Sequence, residues 1–167
     1  NTISKYAVDK NKIYVCGFSM GGFMTQRLAI QHHDRFAAFA SVSGTIGSNI
    51  TEKNAGKAIR LAHFHGTADQ TVGYINNNFG QGVDPMLDFW IANNGCNKTP
   101  NHTTYTDKDP ASGKDILVDH YIYDQCNADL ELFKQNNLDH YWMPQNSRLI
   151  WEFFRRSRST VSNQDID

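Results

Sequence analysis

The chain has 167 residues and a formal net charge of −1, with 16 Lys and Arg against 17 Asp and Glu. This length suits one domain with its own hydrophobic core. The balanced charge offers no basic field for nucleic acid or an anionic membrane, and no apolar run approaches the roughly 20 residues of a membrane span. We therefore expect neither nucleic acid nor a membrane as a partner. One domain is predicted over residues 1–158, followed by a polar, disordered tail at 159–167.

Strand-like and helix-like segments alternate along the chain. Strands are predicted where β-branched and aromatic residues cluster, and helices where apolar residues recur at three- and four-residue spacing. In chain order the segments are a strand at 12–16, a helix at 22–32, strands at 36–42 and 59–64, a helix opened by Pro85 and stopped by Gly95, strands at 116–123 and 130–133, and a last helix capped by Asn146 or Ser147. This alternation predicts an α/β fold with a mostly parallel sheet and helices on both faces.

Two helices and one polar segment carry more detailed expectations. The first helix is expected to direct Met24, Leu28 and Ala29 toward the core. The inward face of the last helix is expected to consist of Leu149, Ile150, Phe153 and Phe154. Residues 97–114 are polar and contain proline and glycine, so we expect them to form a surface excursion.

The turn between the first strand and the first helix carries a catalytic motif. Residues 17–21 read Gly-Phe-Ser-Met-Gly and fit the G-x-S-x-G pattern of a nucleophile elbow. In that turn the serine hydroxyl is exposed above the sheet at a helix N-terminus. Ser19 is therefore the candidate nucleophile, and the backbone N–H of Met20 is a candidate donor of an oxyanion hole. An ordinary Gly-Ser turn is the alternative interpretation.

A serine nucleophile needs a base, and the base needs a carboxylate that orients it. In this fold the acid follows the serine in the chain, and the histidine comes last. Asp69 lies in the loop after the strand at 59–64, where the acid is expected. An Asx-turn is the alternative role for Asp69. Asp84 and Asp88 are rivals, but their positions at the start of a helix and inside it have simpler explanations.

Seven histidines are candidates for the base. His140 follows the last predicted strand and precedes the last helix, which is the position of the triad histidine. The others lie at a helix end, within strands, in a turn or in the polar excursion: His32, His33, His63, His65, His102 and His120. No cluster has metal-ligand spacing, so we expect no metal, and no glycine loop fits a phosphate. Tyr141 and Trp142 could either wall a substrate pocket or pack under the last helix.

Three cysteines allow three possible single disulfides. Cys16 lies in an apolar run and is interpreted as a buried free thiol. Cys96 and Cys126 both flank loop-like segments, so we pair these two. Three reduced cysteines in a cytosolic protein are the alternative.

Three N-glycosylation sequons favour secretion. They begin at Asn49, Asn97 and Asn101, and Pro100 follows the threonine of the second. Together with a disulfide, they predict an extracellular glycoprotein.

Several of these segments together resemble the feruloyl esterase and polyhydroxybutyrate depolymerase-like family of α/β-hydrolases. The segments that carry the resemblance are residues 9–15 and 17–22, residues 65–74, Asn94-Gly-Cys96, Cys126, His140-Tyr-Trp142 and residues 151–154. The resemblance implies Ser19 as nucleophile, Asp69 as acid and His140 as base. It also implies the Cys96–Cys126 bridge, secretion and no cofactor.

The chain departs from that family in three respects. The family usually has Gly-Gly-His before a Thr-Trp pair, whereas residues 138–142 read Leu-Asp-His-Tyr-Trp. The polar excursion at 97–114 carries sequons, so a substrate loop there is expected to differ. The family also has several strands, and a loop that supplies the second oxyanion N–H, before the elbow. We therefore expect this chain to be the C-terminal part of the fold and the missing half to lie on the same chain or on a cleaved piece.

These observations predict a secreted serine esterase that transfers an acyl group to water. The expected substrates are esters of polymers, either feruloyl or acetyl groups on plant polysaccharide or a hydroxyalkanoate polyester. A prolyl-oligopeptidase-like peptidase is the alternative enzyme, although the spacing from Ser19 to Asp69 is short for that family. A non-catalytic extracellular structural or binding protein on the same fold is the alternative outside enzymes.

Overall fold

The computed structural model describes residues 5–156, and the predicted tail at 159–167 lies outside them. The strands are β1 Tyr14–Phe18, β2 Ala38–Val42, β3 Leu61–Gly66, β4 Asn101–Lys108, β5 Asp115–Tyr123 and β6 Leu130–Gln135. The α-helices are α1 Met20–Gln31, α2 Val83–Asn94 and α3 Pro144–Arg155, and two 3₁₀ turns span Lys10–Lys12 and His33–Arg35. The predicted strands and helices are thus present, with ends that shift by a few residues.

The strands form one six-stranded sheet in the order β1-β2-β3-β6-β5-β4. The pairs β1–β2, β2–β3 and β3–β6 are parallel, and β6–β5 and β5–β4 are antiparallel. The parallel strands therefore point their carboxyl ends to the same edge of the sheet, where sites of open α/β sheets lie. This is the mostly parallel sheet that the alternating pattern predicts.

Helices cover the sheet on both faces. On one face α1 and α2 pack on alternate residues of β2, β3 and β6, with Trp90 at the centre and fully buried. On the other face α3 places Ile150, Phe153 and Phe154 against Ala62 and its neighbours. Alternation of side chains along each strand separates the two cores.

Three expectations about the helices and the polar excursion were wrong. Met24 is 53% exposed, because α1 turns Thr25, Gln26 and Ala29 toward the sheet instead. The last helix is capped by Met143, since Pro144 takes the first helical position that its fixed backbone angle suits. The excursion at 97–114 contains β4, an almost wholly exposed strand that pairs with β5.

Among the described residues, β1 pairs only with β2 and is one edge of the sheet. Cys16 in β1 is a free thiol as predicted, but it is exposed rather than buried. It lines a shallow apolar depression together with Trp142, Trp151 and Phe154, which lie in α3 and in the loop before it. Partial burial there raises the pKa of the Cys16 thiol.

A disulfide joins Cys96 to Cys126, as predicted. Cys96 follows Gly95, which ends α2 in the left-handed conformation, and Cys126 lies in the turn between β5 and β6. The bond therefore ties the end of α2 to the base of the β4–β5 hairpin.

Candidate active site

Ser19 lies at the junction of β1 and α1, in a backbone conformation that few residues adopt. Its φ is 54° and its ψ is −118°. Hydrogen bonds on both sides hold this geometry: the N–H of Ser19 donates to the Val42 carbonyl at 2.9 Å, and its carbonyl accepts from the N–H of Phe23 at 3.0 Å. Backbone strain of this kind persists where the surrounding structure enforces it, and it is frequent at reactive groups.

The turn closes because a glycine stands at position 17. A Cβ built on Gly17 would lie 2.3 Å from the backbone of Gly21, a distance that no side chain can occupy. A Cβ at Gly21 would meet nothing within 4 Å. Of the two glycines in the motif, Gly17 is thus the one whose missing side chain lets the strand and helix approach.

Asp69 follows β3 in a tight loop, and its carboxylate is fully buried. Its Oδ1 accepts hydrogen bonds from the backbone N–H groups of Thr71 at 2.9 Å and Val72 at 2.7 Å. This Asx-turn leaves Oδ2 free to bind a side chain. The two interpretations of Asp69, turn former and orienting acid, are therefore compatible, because each uses a different oxygen.

The pKa of Asp69 is lowered to about 2. Burial is the largest single influence and raises it, but hydrogen bonds from His65, His140 and the N–H of Val72 together outweigh burial. The carboxylate is therefore ionised at neutral pH and can stabilise a neighbouring imidazolium.

His140 lies in the loop between β6 and α3, within reach of both Asp69 and β1. Its Nδ1 is 2.8 Å from Asp69 Oδ2. Its ring lies 4.6 Å, centroid to centroid, from the ring of Phe18, the residue before Ser19. Its backbone N–H donates to Asp139 Oδ1, which also accepts from the N–H of Gln70 and so joins this loop to the Asp69 loop. The structure thus brings the predicted acid and base into contact beside the elbow.

Ser19 Oγ makes no hydrogen bond within residues 5–156. Catalytic hydrogen bonds to a serine hydroxyl are often long in the free protein and tighten when substrate binds. Sequence reasoning also missed Phe18, the aromatic support of the His140 ring, although its place next to Ser19 is a signal.

Tyr141 and Trp142 take different environments. Tyr141 is 40% exposed next to His140. Trp142 is half-buried against α3, where its Nε1 donates to Ser147 Oγ at 3.0 Å, and its ring meets Phe18 edge-on at 6.5 Å. Trp142 therefore packs under the last helix, one of the two expected roles, while Tyr141 faces solvent.

An open groove of about 390 Å³ begins directly after Ser19. Apolar side chains of α1 and two loops dominate its lining: Met20, Phe23, Met24, Ile50 and Phe79. Phe23 and Phe79 meet edge-on across it at 6.2 Å.

Asn49 also lines this groove, and the other remaining predicted positions lie elsewhere. Asp84 and Asp88 are exposed on α2, and the three sequon asparagines, Asn49, Asn97 and Asn101, are exposed as well. Within the described part of the chain, no group of three or more His, Cys, Asp or Glu side chains could hold a metal ion. No described helix is long and apolar enough to cross a membrane.

Residues 1–96 match the model of the phospholipase/carboxylesterase family. That match covers more than half of the chain and includes Ser19 and Asp69. This chain belongs to that family.

Curated relatives agree with this carboxylesterase family. The chain is 32% identical to a bifunctional acetylxylan esterase/xylanase of Neocallimastix patriciarum, over 61% of this chain and 16% of that protein. It is 30% identical to a feruloyl esterase B of Talaromyces stipitatus, over 61% of this chain and 36% of that protein. The chain thus spans well under half the length of these relatives.

Solved structures show the same fold. Arabidopsis thaliana SOBER1 superposes with a TM-score of 0.57 at 15% identity, covering 93% of this chain and 57% of that one. The sheet with its flanking helices is therefore that of an α/β-hydrolase, as expected for this carboxylesterase-family chain.

Proposed function

We propose that this chain carries the catalytic triad of a serine esterase, with Ser19 as nucleophile, His140 as base and Asp69 as acid. The observation that carries the proposal is the 2.8 Å contact between His140 Nδ1 and Asp69 Oδ2, beside a serine in a strained strand-to-helix turn. Asp69 only accepts, so His140 Nδ1 carries the proton and its Nε2 is free to act as a base.

In the first half of the proposed reaction, His140 Nε2 takes the proton of Ser19 as its Oγ attacks the ester carbonyl. The oxyanion that forms accepts from the N–H of Met20, which is at the first helical position and has no partner inside α1. The tetrahedral intermediate then collapses, and the alcohol leaves with the proton from His140. An acyl-enzyme on Ser19 remains.

In the second half, water replaces the alcohol. His140 takes a proton from a water molecule as the water oxygen attacks the acyl-enzyme. The N–H of Met20 again donates to the oxyanion. The carboxylic acid leaves, and Ser19 recovers its proton from His140. Throughout, the anionic Asp69 keeps the imidazole oriented and stabilises its charged form.

The proposed substrates are esters on polymers. We favour acetyl or feruloyl esters of plant polysaccharide over a hydroxyalkanoate polyester as the substrate. The names of the relatives support the first two, since they include an acetylxylan esterase and feruloyl esterases. The groove beyond Met20 is apolar enough for either acyl group. Tyr141, exposed beside His140, is proposed to contact the alcohol side of the ester.

Secretion and glycosylation are part of the same proposal. Disulfides persist in oxidising compartments, and the Cys96–Cys126 bond supports such a location. The exposed asparagines at 49, 97 and 101 can accept glycans. Treating the protein recovered from culture medium with a glycan-removing amidase tests secretion and glycosylation directly. A loss of mass after the treatment is expected.

The free edge of β1 is proposed as the place where further strands of the full fold pair. Its backbone groups on that side have no strand partner among the described residues. An uncovered edge of a parallel sheet is unfavourable in water. The same neighbouring segment would supply the second oxyanion donor, on the same chain or a cleaved one.

A fluorophosphonate probe tests the esterase proposal. The protein, with whatever its gene encodes on either side of this chain, is treated with the probe and its mass and peptides are analysed. One adduct on Ser19 is expected, absent in Ser19→Ala and retained in Ser112→Ala, a control in the exposed β4–β5 turn. A folded protein without an adduct would instead favour the non-catalytic extracellular protein.

A further inference from the structure

Behind Asp69, five fully buried polar side chains form one continuous hydrogen-bonded chain through the core. They are Trp90, Gln26, Ser41, His63 and His65. The successive distances are 2.8 Å from Trp90 Nε1 to Gln26 Oε1, 2.7 Å from Gln26 Nε2 to Ser41 Oγ, 2.7 Å from Ser41 Oγ to His63 Nδ1, and 3.1 Å from His63 Nε2 to His65 Nδ1. The hydrogen-bonded chain ends with the bond between His65 Nε2 and the Val72 carbonyl, at 2.7 Å.

The fold places these groups by register and alternation. Ser41 of β2 pairs with His63 of β3, so their side chains stand side by side. His65 lies two residues further along β3 and points to the same face. That face is covered by α1 and α2, which contribute Gln26 and Trp90 respectively.

The two ends determine where every proton lies. Trp90 Nε1 can only donate, and the Val72 carbonyl can only accept. His65 Nε2 therefore carries a proton, and the neutral ring accepts at Nδ1 from a protonated His63 Nε2. His63 in turn accepts at Nδ1 from the Ser41 hydroxyl, which accepts from the amide of Gln26. Both imidazoles are thus neutral, and each carries its proton on Nε2.

The electrostatics agree with a neutral His63 ring. Burial, and then the neighbouring His65, hold the pKa of His63 well below its usual range. A charge on His63 would have no counterion among its hydrogen-bond partners, Ser41 and His65.

The hydrogen-bonded chain contacts the Asp69 loop at two points. His65 Nε2 lies 3.4 Å from Asp69 Oδ2, the oxygen that His140 binds. It also holds the carbonyl of Val72, whose own N–H donates to Asp69 Oδ1. We propose that His65, fixed by the chain from Trp90 through Ser41 and His63, is a positioning residue that sets how strongly Asp69 binds His140. This inference rests on the proposed role of Asp69 as the triad acid.

A purely structural role would predict a different outcome from a positioning role. The titratable groups that face Asp69 are His65 from β3 and His140 from the loop after β6, and Tyr74 packs edge-on against His65 at 5.6 Å. Loss of the His65 N–H leaves Asp69 a stronger acceptor for His140, which favours the imidazolium. The acidic limb of the kcat/KM profile should therefore move to higher pH. A structural defect alone would lower the active fraction and leave that limb in place.

Nitrogen NMR of the imidazole rings tests the proton arrangement without reference to activity. In protein labelled with ¹⁵N at histidine, His63 and His65 should both show the neutral form protonated at Nε2 at pH 8, and His63 should keep that form down to pH 5. A proton on Nδ1 of either ring, or protonation of His63 with an ordinary pKa, would overturn the inference.

Kinetics test the positioning role. His65→Ala and Ser41→Ala should lower kcat about tenfold to a hundredfold with KM little changed, and raise the pH of the acidic limb. His65→Gln should recover most of the loss, because its amide nitrogen can take the place of Nε2. His120→Gln is the matched control, since His120 lies in the sheet but outside the hydrogen-bonded chain. Melting temperatures show that each variant is folded.

The possible failures are distinguishable. A wild-type protein that labels at Ser19, combined with a His65→Ala variant whose acidic limb is unchanged, would overturn the positioning role and leave the esterase proposal standing. A folded wild-type protein that neither labels nor hydrolyses p-nitrophenyl acetate would overturn the esterase proposal and, with it, the role of His65.

Discussion

His140 Nδ1 lies 2.8 Å from Asp69 Oδ2, although 71 residues separate them in the chain. The sheet explains this proximity. β3 and β6 are adjacent and parallel, with Gly66 in register with Gln135, so the loops that follow them emerge at the same edge. Two residues from distant segments therefore meet because their strands pair.

Asp69→Asn should reduce kcat/KM for p-nitrophenyl acetate by about 10⁴-fold. The amide at this position would donate to Nδ1 of His140, which places the imidazole proton on the nitrogen that must act as base. Asp88→Asn, on the exposed side of α2, is the matched control and should retain activity. Activity within threefold or so of wild type in Asp69→Asn would argue against Asp69 as the acid.

The buried His63 should make stability fall in mild acid. The pKa of His63 in the folded protein lies well below the ordinary value of about 6.5. At a pH between these two pKa values, His63 therefore takes up a proton when the protein unfolds. The free energy of unfolding should therefore decrease as pH drops below about 6.5, by up to about 1.4 kcal/mol per pH unit from this group.

Urea unfolding of wild type and His63→Gln at pH 8, 7, 6 and 5 measures this effect. His63→Gln should be less stable at pH 8 but lose less stability between pH 7 and 5. The exposed His102 provides the comparison, since His102→Gln should keep the wild-type slope. Parallel curves for wild type and His63→Gln would refute the linkage.

Loss of the disulfide should destabilise the fold by about 3–4 kcal/mol, from chain entropy at a sequence separation of 30 residues. The double variant Cys96→Ser/Cys126→Ser should show this in denaturant unfolding. Cys16→Ser should change stability by less than about 0.5 kcal/mol, since Cys16 is free and exposed. Native protein should react with a thiol reagent at one cysteine, and reaction at three would contradict the bond.

The two glycines of the elbow should respond oppositely to alanine. Gly17→Ala should cost at least about 3 kcal/mol, because its Cβ would overlap the backbone of Gly21. Gly21→Ala should stabilise by about 0.5–1 kcal/mol, since it lies in α1 and its Cβ meets nothing. Melting temperatures of the two variants decide the matter, and similar losses in both would show that the turn is not limited by this contact.

Local chemistry made much of the fold and the candidate site predictable. The elbow is a short pattern in which strand, glycine, serine and helix follow one another, so the position of Ser19 can be identified from neighbours alone. The loop of Asp69 and the disulfide were likewise found from short segments. The contact between Asp69 and His140, by contrast, depends on the pairing of β3 with β6, which no local pattern encodes.

Two of the features that were missed, β4 and the buried polar residues of the core, share one physical cause. Hydrophobic periodicity detects elements by their apolar residues. β4 is exposed on both faces and so lacks the alternation of a half-buried strand, although its threonines favour β structure. Gln26 and Ser41 are core residues whose burial depends on partners in other elements, so hydrophobic periodicity does not single them out.

The bridge between Cys96 and Cys126 encloses the whole β4–β5 hairpin, with Asp69 before the loop and His140 after it. A single protease cut anywhere within that loop would leave two polypeptides that remain covalently joined at the base of the hairpin. Acid and base would then stay on one molecule even though the backbone between them is broken. The hairpin is thus a segment whose continuity the triad does not require, and the break would become visible only after reduction.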